Sequence, residues 1–293
     1  MTTSGKSGPN PFNRKLIKQF PRTDTLPLQS SKFWAKEKDR YLRQQLLADL
    51  ECETGREVIV YYAQLSEAIS HADADDLSEI IEGLQSDEID IILQTPGGGV
   101  DAVEKLVTVL KSRLKSYRVI VPSWAKSGGT VIAMSSSQIL LGVNSELGPI
   151  DPQIHLSNLG AVPCSFVARD ETKDPTLRQM CTSHVERMEA LAKKILLTGT
   201  LSGVEGGKSA ATVDAMIEKL SSSDTYKSHG AVIDFEEARE IGLPVEWMPP
   251  QDTLWKRIWL LYCCYEHDAR LKGLGKIIEG AQNSISRSLP RVG

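Results

Sequence analysis

The sequence predicts an α/β protein with a largely parallel sheet, and two observations carry that expectation. From residue 57 onward, apolar runs of strand length alternate with segments of helical periodicity, and two of those runs end in glycine-bearing turns where a helix begins. EVIVYYA (57–63) reads as a strand, residues 73–85 as a helix and DIILQT (90–95) as a second strand. AVEKLVTVLKSRL (102–114) repeats apolar residues at helical spacing, and YRVIVPSWA (117–125) is a third buried strand. Strands separated by helices indicate βαβ units. GGTVIAMSS then reads as a helix of small residues and QILLGV as another short strand. A long helix is expected from the Asp174-Pro175 cap to about Leu197, stopped by Gly199. HGAVIDFEEAREIGLPV (229–245) supplies a turn, a helix and a closing strand, and beyond Pro250 the pattern is helical up to Gly280.

The chain has 293 residues, 41% hydrophobic and 25% charged, which is ordinary globular composition. Residues 1–54 are expected to form a basic arm and helix, 55–249 the central domain, and 250–293 a helix with a basic tail. A net charge of −4 gives no global reason to expect nucleic acid or an anionic membrane as partner. The charge is nevertheless uneven: residues 1–50 are rich in Lys and Arg, whereas residues 64–90 carry nine acids and no base. Either these are solvated surface helices or the basic arm docks on an acidic face.

Five cysteines show no CxxC spacing, so neither a metal site nor a redox motif is expected. The start lacks the apolar core of a signal peptide, and no stretch approaches the length of a spanning helix, so the expected location is cytoplasmic without membrane insertion. LWKRIWLLYCCY (254–265), interrupted by Lys256 and Arg257, is expected to be a packing or interface helix.

Two loops carry the chemistry. Thr95-Pro96-Gly97-Gly98-Gly99-Val100 follows a strand and precedes a helix, so its backbone N–H groups lie where negative charge is stabilised. The dinucleotide and phosphate-loop fingerprints are absent, and no cofactor is expected. Ser123 to Thr130 repeats the design on the next strand, and parallel neighbours bring both loops to one carboxyl edge of the sheet. A serine at a helix start is most often a cap. Here Gly128 and Gly129 allow close substrate approach, so Ser127 is the candidate nucleophile. The Gly98 and Gly128 N–H groups are its candidate oxyanion hole.

At TPGGGVDAV, AKSGGT, ELGPIDPQI, the KDP before the long helix and HGAVIDFEEAREIGL, the sequence resembles the Clp/crotonase superfamily. Within it the chain is most similar to peptidases of the signal peptide peptidase A type and to the archaeal serine dehydrogenase proteinases. The resemblance covers roughly residues 57–245. It implies a spiral of repeated ββα units with a long protruding helix and added terminal helices, serine-type endopeptidase activity on peptide or protein substrates, and a homo-oligomer.

The general base is left open. Laid along this chain, the Clp histidine position falls at or next to Asp151 and the Clp aspartate position at or next to His229. The archaeal group departs from the Clp order, which makes Ser127, His229 and Asp151 a triad in altered order. Lys173 stands where signal peptide peptidase A places its lysine, but neighbouring Asp170, Glu171 and Asp174 favour its charged form. His184, on the long helix with Met180 and Met188 at helical spacing, reads as a packed or surface side chain. Two other classes compete: an acyl-CoA enzyme using the same loops without a serine, and a catalytically inactive scaffold subunit.

Overall fold

The computed structural model describes residues 30–157, 159–203 and 209–290. The arm expected before residue 30 lies outside the described residues. α1 (Ser31–Thr54) starts at Ser30, whose hydroxyl accepts from the Phe33 N–H at 3.2 Å, and stops at Gly55 in the left-handed region, φ 70°. Then come β1 (Glu57–Ala63), α2 (His71–Glu82), β2 (Glu88–Gln94), α3 (Val100–Arg113) and β3 (Ser116–Val121). β4 (Trp124–Ala125), α4 (Gly128–Met134), β5 (Gln138–Gly142) and β6 (Glu146–Leu147) follow. β7 (Gln153–Leu156) and β8 (Gly160–Pro163) form a hairpin that leads into α5 (Cys164–Arg169). The long helix α6 (Pro175–Thr198) has Asp174 as N-cap, accepting from the Thr176 and Leu177 N–H groups, and Pro at its first position, as the sequence predicts. α7 (Ala210–Ser221), α8 (Ser223–Tyr226), α9 (Phe235–Ile241), β9 (Val245–Met248), α10 (Thr253–Lys272), β10 (Leu274–Gly280) and β11 (Ser284–Ser288) complete the chain.

The main sheet has the order β11-β10-β1-β2-β3-β5-β9. The five strands from β1 to β9 are parallel, and β10 and β11 add antiparallel at the β1 edge. Side chains alternate across it. Ile59, Tyr61, Ile91, Leu93, Val119 and Ile139 join the larger core with α2, α3, α4, α6 and α7. Val58, Val60, Tyr62, Ile92, Ile120 and Leu140 face the other way onto α1 and α10. Past the main sheet the chain makes short second-layer pairings: Ile69 with Gly98, Thr95 with Ala125, β4 with β6, and Leu147 with Ile233. Strand, second-layer stub and helix then repeat along the chain, which is the ββα unit expected.

α10 is a packing helix. Trp255, Ile258, Leu261 and Tyr265 are buried at helical spacing against the sheet, each contributing about 1.5–3 kcal/mol. The expected run of helix to Gly280 is corrected: α10 ends at Gly273 in the left-handed region, and the following residues form β10 and β11 rather than a helix and a basic tail. α7, α8 and the β7–β8 hairpin were not predicted.

The acidic stretch is only partly solvated. Asp73 is fully buried and accepts from Tyr61 Oη at 2.8 Å, Lys276 Nζ at 2.6 Å and Arg287 Nη1 at 3.1 Å. Asp90 is clamped by Arg56 at 2.9 Å and Arg118 at 2.6 Å. These cations come from Arg56 just before β1, from β3 and from the C-terminal hairpin, and Lys105 of α3 pairs with Asp75. The basic N-terminal helix pairs with the C-terminal elements instead: buried Arg43 binds Glu279 at 2.7 Å and also Asp268, and Lys272 binds Asp39 at 3.1 Å.

Candidate active site

Lys126 to Gly129 make a tight turn in which the Gly129 N–H donates to the Lys126 carbonyl at 2.7 Å. Ser127 is its second residue, with φ 53° and ψ −117°. These are the angles of a type II′ turn, where glycine is the usual occupant. A serine held there costs on the order of 1–3 kcal/mol of backbone strain. Its side chain makes no capping bond to α4, so the cap reading fails and the hydroxyl is left for other chemistry.

The glycine loop is pressed onto this turn. Gly97 has φ 93°, and a Cβ there would lie 2.6 Å from the Lys126 carbonyl oxygen and 2.7 Å from the Gly128 nitrogen. A Cβ on Gly128 would lie 3.2 Å from the Gly98 nitrogen. The two expected oxyanion donors are therefore neighbours. Among the described residues neither N–H donates to another backbone carbonyl. Gly98 lies in the loop after β2 and Gly128 opens α4 just past β4, so both sit beyond the carboxyl end of a strand.

His229 and Asp151, 78 residues apart, meet directly: Nδ1 of His229 lies 2.7 Å from Oδ1 of Asp151. Asp151 is 2% exposed, whereas His229 is half-buried. The second carboxylate oxygen, Oδ2, accepts from Gln153 Nε2 at 2.6 Å and Ser223 Oγ at 3.1 Å. Ser127, Gly98 and His229 line one cavity of about 690 Å³, between the glycine loop, α2 and α6.

The other candidates separate on position. Lys173 pairs with Asp170 at 3.9 Å and does not line this cavity. His184 is exposed, as expected for a surface residue, but does line the cavity together with Arg187 and Met188. Arg187 pairs with Asp101 and, at 3.3 Å, with Glu104, joining α6 to α3 beside the opening. His71, for which the sequence offered no motif, also lines the cavity. Trp124 does not.

Sequence reasoning missed Lys126. Its ammonium donates to the Leu147 carbonyl at 3.2 Å and the Ala231 carbonyl at 3.0 Å, and pairs with Glu146 at 3.0 Å. Burial lowers its pKa, and Glu146 opposes that. Thr130 was missed too. Fully buried, its hydroxyl lies 2.8 Å from the Gly148 carbonyl and accepts the Gly148 N–H at 3.0 Å, tying α4 to the segment before Asp151. Among the described residues no group of three or more His, Cys, Asp or Glu side chains is arranged to hold a metal ion, and no helix is long and apolar enough to cross a membrane. The Cys164 thiol, pushed up to about 12 by burial and by Cys181, is no nucleophile at neutral pH.

A strained serine at a strand-to-helix turn, backed by a glycine loop, thus lines the same cavity as a histidine bonded to a carboxylate, and these are the residue types a serine hydrolase uses. The family of ClpP-like SDH-type serine proteinases matches residues 66–262, and the chain belongs to that family of serine peptidases, with its Clp-type fold. Two uncharacterized proteins of Methanocaldococcus jannaschii are similar to it. One is 28% identical over 213 residues, covering 70% of this chain and 68% of that one. The other is 42% identical over 66 residues, 22% of this chain and 23% of its own length. Among solved structures, ClpP1 from Listeria monocytogenes is 18% identical with a TM-score of 0.43, covering 73% of this chain and 99% of that one. A mutant of the 1510-N membrane-bound stomatin-specific protease is 20% identical with a TM-score of 0.42, covering 64% and 76%.

Proposed function

We propose that the chain is an active endopeptidase that cleaves peptide or protein substrates through an acyl-enzyme on Ser127. The observation that carries this reading is the 2.7 Å bond between His229 and Asp151 at the cavity that also contains Ser127. With Asp151 ionised, Nδ1 of His229 holds the proton and Nε2 is free to accept one. His229 takes the Ser127 proton as the hydroxyl attacks the scissile carbonyl, and Asp151 stabilises the resulting imidazolium.

The carbonyl oxygen becomes an oxyanion, held by the Gly98 and Gly128 N–H groups; a single donor of this kind is worth about 3–4 kcal/mol of barrier in other enzymes. The imidazolium gives its proton to the leaving amine. Water, activated by the same histidine, then hydrolyses the ester. Lys173 has no part in this scheme, because it does not line the cavity.

The peptidase acts as a homo-oligomer in the cytoplasm, without cofactor or metal. Cys164, Cys181, Cys263 and Cys264 are free thiols, which supports a reducing compartment. The reading is tested by incubating the purified chain with an unfolded protein substrate and sequencing the products by mass. Internal cleavage that disappears in Ser127→Ala supports it. Protein substrate left intact by a folded, assembled wild type contradicts it and favours a non-catalytic binding subunit.

A further inference from the structure

Asp151 is held from behind by a chain of hydroxyls that runs away from the cavity. Ser165 Oγ donates to Ser223 Oγ at 2.9 Å, and Ser223 Oγ donates to Asp151 Oδ2 at 3.1 Å. Ser223 is 5% exposed. It is the first residue of α8, yet its hydroxyl is turned to the carboxylate, while Ser222 caps the helix by accepting from the Thr225 N–H at 3.1 Å. The segment that supplies Ser165 is pinned to the same place, since the Cys164 N–H donates to the Pro152 carbonyl at 2.8 Å. Three elements, α5, α8 and the turn at Asp151, thus converge on one carboxylate oxygen while its other oxygen faces His229.

We propose that Ser223 is a positioning residue of the hydrolytic site, setting both the orientation of Asp151 and the charge it presents to His229; this rests on the reading of Ser127, His229 and Asp151 as a triad. A donated hydrogen bond withdraws charge from a carboxylate, and hydroxyls in series polarise one another. Without Ser223, Asp151 keeps only the Gln153 donor on Oδ2, and more of its charge acts on the imidazole. The carboxylate also gains rotational freedom, which slows the step it orients.

The other charged or titratable groups at the cavity of His229 are His71 of α2, Asp101 of α3, and His184 and Arg187 of α6, with Asp224 of α8 and Lys227 just before His229 in sequence. Burial, Cys181 and the Asp151 charge all push the Cys164 thiol up. None of them is altered by substituting Ser223, so a change in rate that the Thr variant reverses reports on the hydroxyl that holds Asp151.

The test is the rate of fluorophosphonate labelling against pH for wild type, Ser223→Ala, Ser223→Thr and Ser165→Ala, each checked for folding by thermal melting. The expected result for Ser223→Ala is a plateau rate lower by roughly tenfold. Ser223→Thr, which keeps the hydroxyl, restores most of it. Ser165→Ala lowers the rate by less, and stands in if Ser223→Ala does not fold. A labelled wild type whose folded variants keep its profile and rate overturns the role of Ser223 alone. An unlabelled wild type overturns the triad reading on which it rests.

Discussion

The Lys126 ammonium, one residue before the strained Ser127, donates to the Ala231 carbonyl, two residues beyond His229 and 105 residues away in sequence. The same ammonium holds the Leu147 carbonyl and Glu146, four to five residues before Asp151. One side chain therefore ties together the three segments that carry the proposed nucleophile, base and acid. Replacing it with methionine keeps the packing but leaves two carbonyls and a carboxylate short of a donor. Lys126→Met is expected to cost about 1–3 kcal/mol in denaturant unfolding and to slow fluorophosphonate labelling more than about tenfold. A variant that melts early yet labels at the wild-type rate argues against a link between this tie and the chemistry.

Ser127 occupies a backbone conformation that suits glycine. Ser127→Gly removes the strained Cβ and the hydroxyl together. It should abolish labelling while leaving the chain at least as stable as wild type, by up to about 1 kcal/mol in urea unfolding. A clearly less stable Ser127→Gly chain contradicts the assignment of strain to this residue.

His229, Lys173 and His184 are the three bases between which sequence alone did not decide. With His229 at the cavity and Lys173 outside it, His229→Ala is expected to lower the labelling rate by about 10³-fold or more, and Lys173→Ala to leave it within about twofold. Steady labelling rates on both proteins, with the reverse ranking, refute the assignment.

Burial pushes the Asp73 carboxyl upward, but hydrogen bonds from Lys276, Ser70 and Tyr61 outweigh this and hold it below its ordinary value of 3.8. A carboxyl depressed in the folded state binds fewer protons there than when unfolded. Its contribution is present above its ordinary pKa and is lost as pH falls through the folded value. Asp73→Asn, which leaves Lys276 buried without its counter-charge, should be less stable than wild type by about 3–5 kcal/mol at pH 7. The gap should narrow below about pH 4. Melting curves of both proteins from pH 7 to pH 3 measure it, and a gap that stays constant contradicts the role of this carboxylate.

The parts of the fold written in local pattern were legible. β1, β2 and α3 follow from period, the long α6 from Asp174-Pro175 and Gly199, and the two site loops from glycines at strand ends. β10 was not, because Lys276 and Glu279 read as solvent-facing positions and break the apolar run. In the fold both are buried, matched by Asp73 and Arg43, which come from distant parts of the chain. Partners of that kind leave no mark on the local sequence. The same limit applied to the site. Ser127 and the glycines are local signals, whereas the pairing of Asp151 with His229 depends on topology and was reached only through a family resemblance. Ser223 lies in a run of serines that reads as a polar turn, and Lys126 looks like an ordinary surface lysine until three loops close over it.

The measurement that tests the central claim most directly is fluorophosphonate labelling of wild type and Ser127→Ala, read by intact mass at several values between about pH 5 and 9, the range of a histidine titration. The account predicts one added phosphonyl group on the wild type, a rate that rises as a histidine loses its proton, and none on Ser127→Ala. A folded wild type that stays unlabelled at every pH, or equal labelling of Ser127→Ala, would contradict it.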